Sequence, residues 1–137
     1  MQTRRSMFIF SVGLLVALAV ACKFSASTAN IGSLKLGKDK AAATEASTFA
    51  PNDTVYAVAT ISNAPGKVKV KGRLIPEDEP GAKGPETTID LPGSGTATFT
   101  FTPPVSGFPA GKYKIEVTLM DEGGEQKDQK SASFTVS

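Results

Sequence analysis

The stretch Lys112-Tyr113-Lys114-Ile115-Glu116-Val117-Thr118-Leu119-Met120 decides the fold. Tyr113, Ile115, Val117 and Leu119 alternate with polar neighbours, which is the period of two expected of a strand with one buried face. Its flanks agree. Pro103 to Gly111 before it is rich in proline and glycine, and Asp121 to Lys130 after it reads as a polar hairpin loop leading to a last strand, Ser131 to Val136, with Ala132, Phe134 and Val136 on one face. Further out, Thr96 to Thr102 sets Ala97, Phe99 and Phe101 against four threonines. Glu86 to Leu91 is a short strand ended by Pro92-Gly93-Ser94-Gly95, and Pro76 to Pro85 is a loop with three prolines and an acidic cluster.

The earlier half repeats the pattern. Lys67 to Leu74 places Val68, Val70 and Leu74 inward and Lys67, Lys69, Lys71 and Arg73 outward. Asn63-Ala64-Pro65-Gly66 is a turn, and Asp53 to Ile61 alternates Val55, Ala57, Ala59 and Ile61 with Tyr56, Val58 and Thr60. Ile31 to Leu36 predicts a short first strand, while Lys38 to Ser47 reads as an irregular connection with room for one helical turn. About seven short strands with one apolar face each predict an all-β chain, an antiparallel β-sandwich of the immunoglobulin or fibronectin-III type. Long helices and βαβ periodicity are absent, which argues against α/β folds. The Cys–Trp–Cys core of immunoglobulins is missing, so the expectation concerns the sandwich architecture in general.

The N-terminus has a different grammar. Arg4 and Arg5 precede an apolar run from Met7 to Ala21, which is short for a membrane span and suits the apolar core of a signal peptide. Ala19-Val20-Ala21 then presents small residues immediately before Cys22, the one cysteine of the chain. This resembles a bacterial lipobox, although alanine stands at position 19 where leucine is usual. The resemblance implies cleavage after Ala21 and lipidation of Cys22, with several acyl chains anchoring the mature protein stably. Lys23 after the cysteine then favours the outer membrane, facing the periplasm. Ordinary secretion is the alternative, because Ala-Val-Ala is also a signal-peptidase site and Ser27-Thr28-Ala29 offers another. The expected organisation is a signal peptide over 1–21, a lipidated cysteine and polar tether over 22–30, and the sandwich over 31–137.

Composition narrows the functions. Loss of residues 1–21 from the 137-residue chain leaves 116, enough for one domain, and takes the net charge from +2 to 0. Nucleic-acid binding thereby loses its electrostatic support. With Cys22 committed to lipid, the domain has no internal disulfide and rests on its apolar core. The chain contains no His and no Trp.

Phe49-Ala50-Pro51-Asn52-Asp53-Thr54-Val55-Tyr56-Ala57 and Gly107-Phe108-Pro109-Ala110-Gly111-Lys112-Tyr113-Lys114-Ile115-Glu116-Val117 resemble stretches of small bacterial lipoproteins with an immunoglobulin-like domain. That likeness implies the same fold and a place in the cell envelope. It implies no catalytic residue.

The candidate chemistry is sparse. The outward row Lys67, Lys69, Lys71 and Arg73 suits an anionic surface or an envelope protein. The plainer reading is a solvated strand face that discourages edge pairing and is balanced by acids on Glu77-Asp78-Glu79 or on a paired strand. Phe108, in a proline- and glycine-rich loop, is either a recognition aromatic or a plug at the end of the sandwich. Tyr113 is expected to tie its hydroxyl back to a loop as a tyrosine corner. Neither acidic loop has an EF-hand spacing, and no His is present for zinc, so neither metal nor cofactor is expected. No triad is available without His, and Gly93-Ser94-Gly95 precedes no helix, so an enzyme is not expected. The functional expectation is a non-catalytic, lipid-anchored binding or scaffolding module. A small-ligand or carbohydrate module using loops near Phe108 or Tyr56 is the alternative.

Overall fold

Seven long strands and one of two residues form two packed sheets in the computed structural model, which describes residues 29–79, 81 and 84–137. The signal segment, Cys22 and nearly all of the tether lie outside the described residues. The strands are β1 (Asn30–Gly37), β2 (Thr48–Phe49), β3 (Val55–Ser62), β4 (Val68–Pro76), β5 (Glu86–Leu91), β6 (Gly95–Phe101), β7 (Gly111–Asp121) and β8 (Gln126–Val136). One sheet has the order β1-β3-β6, the other β2-β8-β7-β4-β5. All pairings are antiparallel except the short β2–β8 contact, which is parallel. This is the expected all-β sandwich. Because β5 pairs with β4 and does not cross to the three-stranded sheet, the topology departs from the immunoglobulin constant domain.

The alternation read in the sequence sets the core. Val55, Ala57, Ala59 and Ile61 of β3 and Ala97, Phe99 and Phe101 of β6 are buried against Val68, Val70 and Leu74 of β4 and Tyr113, Ile115, Val117 and Leu119 of β7. Each strand turns its other face to solvent, as a half-buried antiparallel sheet requires. Gly72 interrupts the inner row of β4, and the Phe99 ring fills the space, so close that a Cβ at 72 would lie 2.6 Å from its Cδ1.

Asn30 opens β1, and Ala29 beside it is buried. Two details differ from the sequence reading. Lys38 to Ser47 forms no helical turn. Ala42 adopts a positive φ of 47° and is buried, its N–H bonded to the Asp39 carbonyl, and the chain then enters β2. Most of the expected hairpin loop at 121–130 is strand, since β8 starts at Gln126. Its first half carries polar residues on both faces, which hides the period of two. A register shift between Leu119 and Met120 sets Lys127 aside as a bulge, where its ammonium lies 3.0 Å from Glu125 and 3.7 Å from Asp121.

The registers also give the sandwich two distinct ends. Asn30 pairs with Ser62, Ile61 with Gly95, and Val68 with both Leu91 and Asp121. The chain therefore enters at the end that carries the turns 63–66, 92–94 and 122–125. Residues 50–54, 77–79, 84–85 and 102–110 lie at the opposite, distal end.

Candidate functional site

The outward row begins beside β4 and runs along the open face of the five-stranded sheet. β4 is an interior strand, flanked by β5 and β7, so the row does not guard a sheet edge. Its charges are unequally committed. Arg73 lies across from Glu86 and Glu116, and its guanidinium donates to Glu116 Oε1 at 3.5 Å and stands 4.0 Å from Glu86. Lys71 stands between Thr88 and Thr118, and Lys69 between Asp90 and Met120. Lys67 and Lys69 share a shallow cleft of about 330 Å³ with Asp90 and Glu122. No carboxylate among the described residues lies within ion-pair distance of Lys67, Lys69 or Lys71. The acids that balance Arg73 come from the paired strands. The loop acids are used elsewhere: Glu77 Oε1 accepts a hydrogen bond from Ser133 Oγ at 3.1 Å, and Asp78 packs over Gly111.

The distal end is apolar beneath and acidic above. Phe108 is only 6% exposed, as a plug at the end of the sandwich is. The cause is local. Gly107 turns with a φ of 84° against Pro51, and the Phe108 N–H donates to the Pro51 carbonyl at 2.8 Å, driving the ring inward. Phe108 meets Tyr113, which stacks on Phe134, and Phe134 meets Phe49 edge-on, with centroid spacings of 6.2, 5.3 and 5.2 Å. Tyr113 donates its hydroxyl to the Pro109 carbonyl at 2.5 Å, the expected corner. Burial, reinforced by Asp78 and Glu79, holds this phenol above its ordinary value of 10.0.

Above this aromatic row is a cleft of about 300 Å³. Leu74, Phe108, Tyr113 and several prolines wall it, with the exposed Asp78 and Glu79 beside them. Its walls come from the two loops that follow β4 and β6 and from the strand ends beside them, so of the loops the sequence offered for a ligand, those near Phe108 line a cleft. Asp53, at the same end, accepts from the Ala50 N–H at 2.8 Å, which with Lys38 at 3.4 Å holds its carboxyl below the ordinary value of 3.8. Among the described residues, no three His, Cys, Asp or Glu side chains converge where a metal ion would be held. Tyr56 is half-buried on the outer face of the three-stranded sheet, between Gly37 and Thr100 and away from the cleft.

No protein-family model and no curated protein sequence matches this chain. Among solved structures it is similar to the C-terminal domain of wzt, with a TM-score of 0.59 and 14% identity over 81% of this chain and 74% of that one. It is also similar to the cycloisomaltooligosaccharide glucanotransferase of Paenibacillus sp., with a TM-score of 0.54 and 16% identity over 80% of this chain. The β-glucuronidase of Bifidobacterium dentium gives a TM-score of 0.51 at 14% identity, again over 80% of this chain. The chain spans 14% of the glucanotransferase and 18% of the glucuronidase, so it corresponds to one small part of each enzyme. At these identities the likeness concerns the fold alone.

Proposed function

We propose that this protein is a non-catalytic module of the bacterial cell envelope, anchored through lipid on Cys22, which offers the open face of its five-stranded sheet to an anionic envelope component. The observation that supports this reading is the lysine row. Lys67, Lys69 and Lys71 stand outward on a broad, uncovered face with no carboxylate among the described residues within pairing distance, whereas Arg73 is held by Glu86 and Glu116. A flat face of this kind favours an extended surface or another protein over a small molecule, since charge complementarity steers such encounters. The N-terminal signal anatomy supports the location, and Lys23 favours the outer membrane.

The test is capture from detergent-solubilised envelope with the full chain and a Lys67→Glu/Lys69→Glu/Lys71→Glu variant. The expected result is a reproducible anionic partner that the variant loses while its unfolding temperature is unchanged. Equal capture by both proteins would overturn the assignment of this face. Acyl mass on native Cys22, absent from Cys22→Ser, tests the anchor separately.

The distal cleft supports a second reading, a small-ligand module. Its volume of about 300 Å³ stands at the lower end of the range for ligand sites. Ligand-dependent thermal shifts that survive the charge reversal would favour it.

A further inference from the structure

We propose that β6 pairs with β6 of a second copy of this chain, antiparallel, about a two-fold axis through Thr98. An unpaired strand edge presents free N–H and C=O groups to any other strand, and proteins normally blunt such edges with charge, proline, bulges or short length. Three of the four edges of this sandwich are blunted. β1 has a register shift between Ile31 and Ser33 and carries Lys35 outward. β2 is two residues long and covers only Thr135 and Val136 of β8, whose remaining edge carries Lys127, Asp128 and Lys130 and the bulge at Lys127. β5 carries Glu86 and Asp90.

β6 has none of these devices. Gly95-Thr96-Ala97-Thr98-Phe99-Thr100-Phe101 contains no charge and no proline, and its register with β3 is unbroken. It is also self-complementary. The seven residues lie symmetrically about Thr98, so a two-fold pairing there sets Thr96 against Thr100 and Ala97 against Phe99 in both directions. Hydroxyl then meets hydroxyl on the outer face, and apolar meets apolar on the inner face. The pairing is centred on a residue, so each face continues across the junction and two three-stranded sheets become one of six. Threonine pairs are among the favourable cross-strand contacts. The same operation at β5, centred on Thr88, sets Glu86 against Asp90 and is repelled. Self-pairing thus selects β6, and its lack of charge favours its own copy over a charged partner strand.

One strand pair is a small contact, below the roughly 1,000 Å² of a durable interface, so the dimer is weak and concentration-dependent. Confinement on a surface raises the effective concentration and strengthens it. The contact lies on the sheet opposite the lysine row, and its test does not depend on that row.

The experiment is sedimentation of the detergent-solubilised full chain over a concentration series reaching the millimolar range, with Thr98→Lys beside it. The protein is expected to pass from one chain to two, while Thr98→Lys, which sets lysine on lysine at the axis, stays at one with an unchanged unfolding temperature. If that variant folds poorly, Thr96→Lys and Thr100→Lys combined repeat the test at exposed positions. A Thr98→Cys substitution in a Cys22→Ser background reads the geometry directly, because residues facing across an antiparallel pair stand at disulfide distance. Oxidation is expected to cross-link it and to leave Lys35→Cys, on β1, as single chains. A single-chain mass at every concentration, a dimer undiminished by the lysine substitutions, or no cross-link at position 98 would each overturn the proposal.

Discussion

Gly72 and Phe99 share one volume across the sandwich. The inner row of β4 reads Val68, Val70, Gly72, Leu74, and the ring of the almost fully buried Phe99 occupies the place a third side chain would take. Gly72→Val is therefore expected to destabilise the fold by about 1–3 kcal/mol, the usual cost of overpacking, read from a denaturant midpoint. A Phe99→Leu change in the same chain is expected to recover part of that loss, since the two positions contact one another. Alternation puts position 72 on the inner face but does not name its partner, Phe99, which lies in the other sheet. Tyr113 is the contrary case, legible because its partner, Pro109, is four residues away. Loss of this hydrogen bond in Tyr113→Phe is expected to cost about 1 kcal/mol at neutral pH. The folded-state phenol titrates above its ordinary 10.0, so its contribution is complete below that value and is lost as pH rises through the shifted one. The stability gap between Tyr113→Phe and the parent is thus expected to close in alkali. A gap that persists there would exclude the phenol as its source.

Among the elements, β8 carries the most information that the period of two conceals. Its second half, Ala132, Phe134 and Val136, was readable because one face is apolar. Its first half reads as a loop because Lys127, Asp128, Gln129 and Lys130 are all polar. The polarity has a structural use. Asp128 Oδ2 accepts the Ile31 N–H at 2.8 Å, joining β8 to the first strand of the opposite sheet, and the Gln129 amide donates to Thr118 Oγ1 at 3.0 Å. The hairpin below is tied by Asp121, whose carboxyl is held below its ordinary 3.8 chiefly by the Glu125 N–H and then by Lys127. Asp128→Ala is expected to cost about 1 kcal/mol and to speed hydrogen exchange at Ile31 specifically. If exchange there is unchanged, Asp128 does not hold β1. The turns flanking β4, β5 and β6 were legible from their proline and glycine. The order of strands within each sheet was not, because alternation says which face is buried and not which neighbour pairs. That is why the lysine row reads as an edge guard although β4 is an interior strand.

At the scale of the whole molecule, the two ends of the sandwich have different neighbours. The chain enters at Asn30, and only the short segment from Cys22 separates that end from the expected anchor. At about 3.3 Å per extended residue the tether reaches no further than the length of β7, whose eleven residues span roughly 36 Å. With Cys22 lipidated, the turns 63–66, 92–94 and 122–125 are expected to face the bilayer and the 102–110 loop, with its fully exposed Val105, to point away. The lysine row runs along the side between them, beginning with Lys67 near the entry end. The consequence is measurable. A fluorophore attached through cysteine at position 94 is expected to be quenched by headgroup-labelled lipid in reconstituted vesicles, and one at position 105 is not. Equal quenching at both positions would mean that the domain lies on its side, which would bring the sheet face itself against the membrane. In that case the anionic surface met by Lys67, Lys69 and Lys71 is the bilayer, and the charge-reversed variant would lose the quenching at position 105.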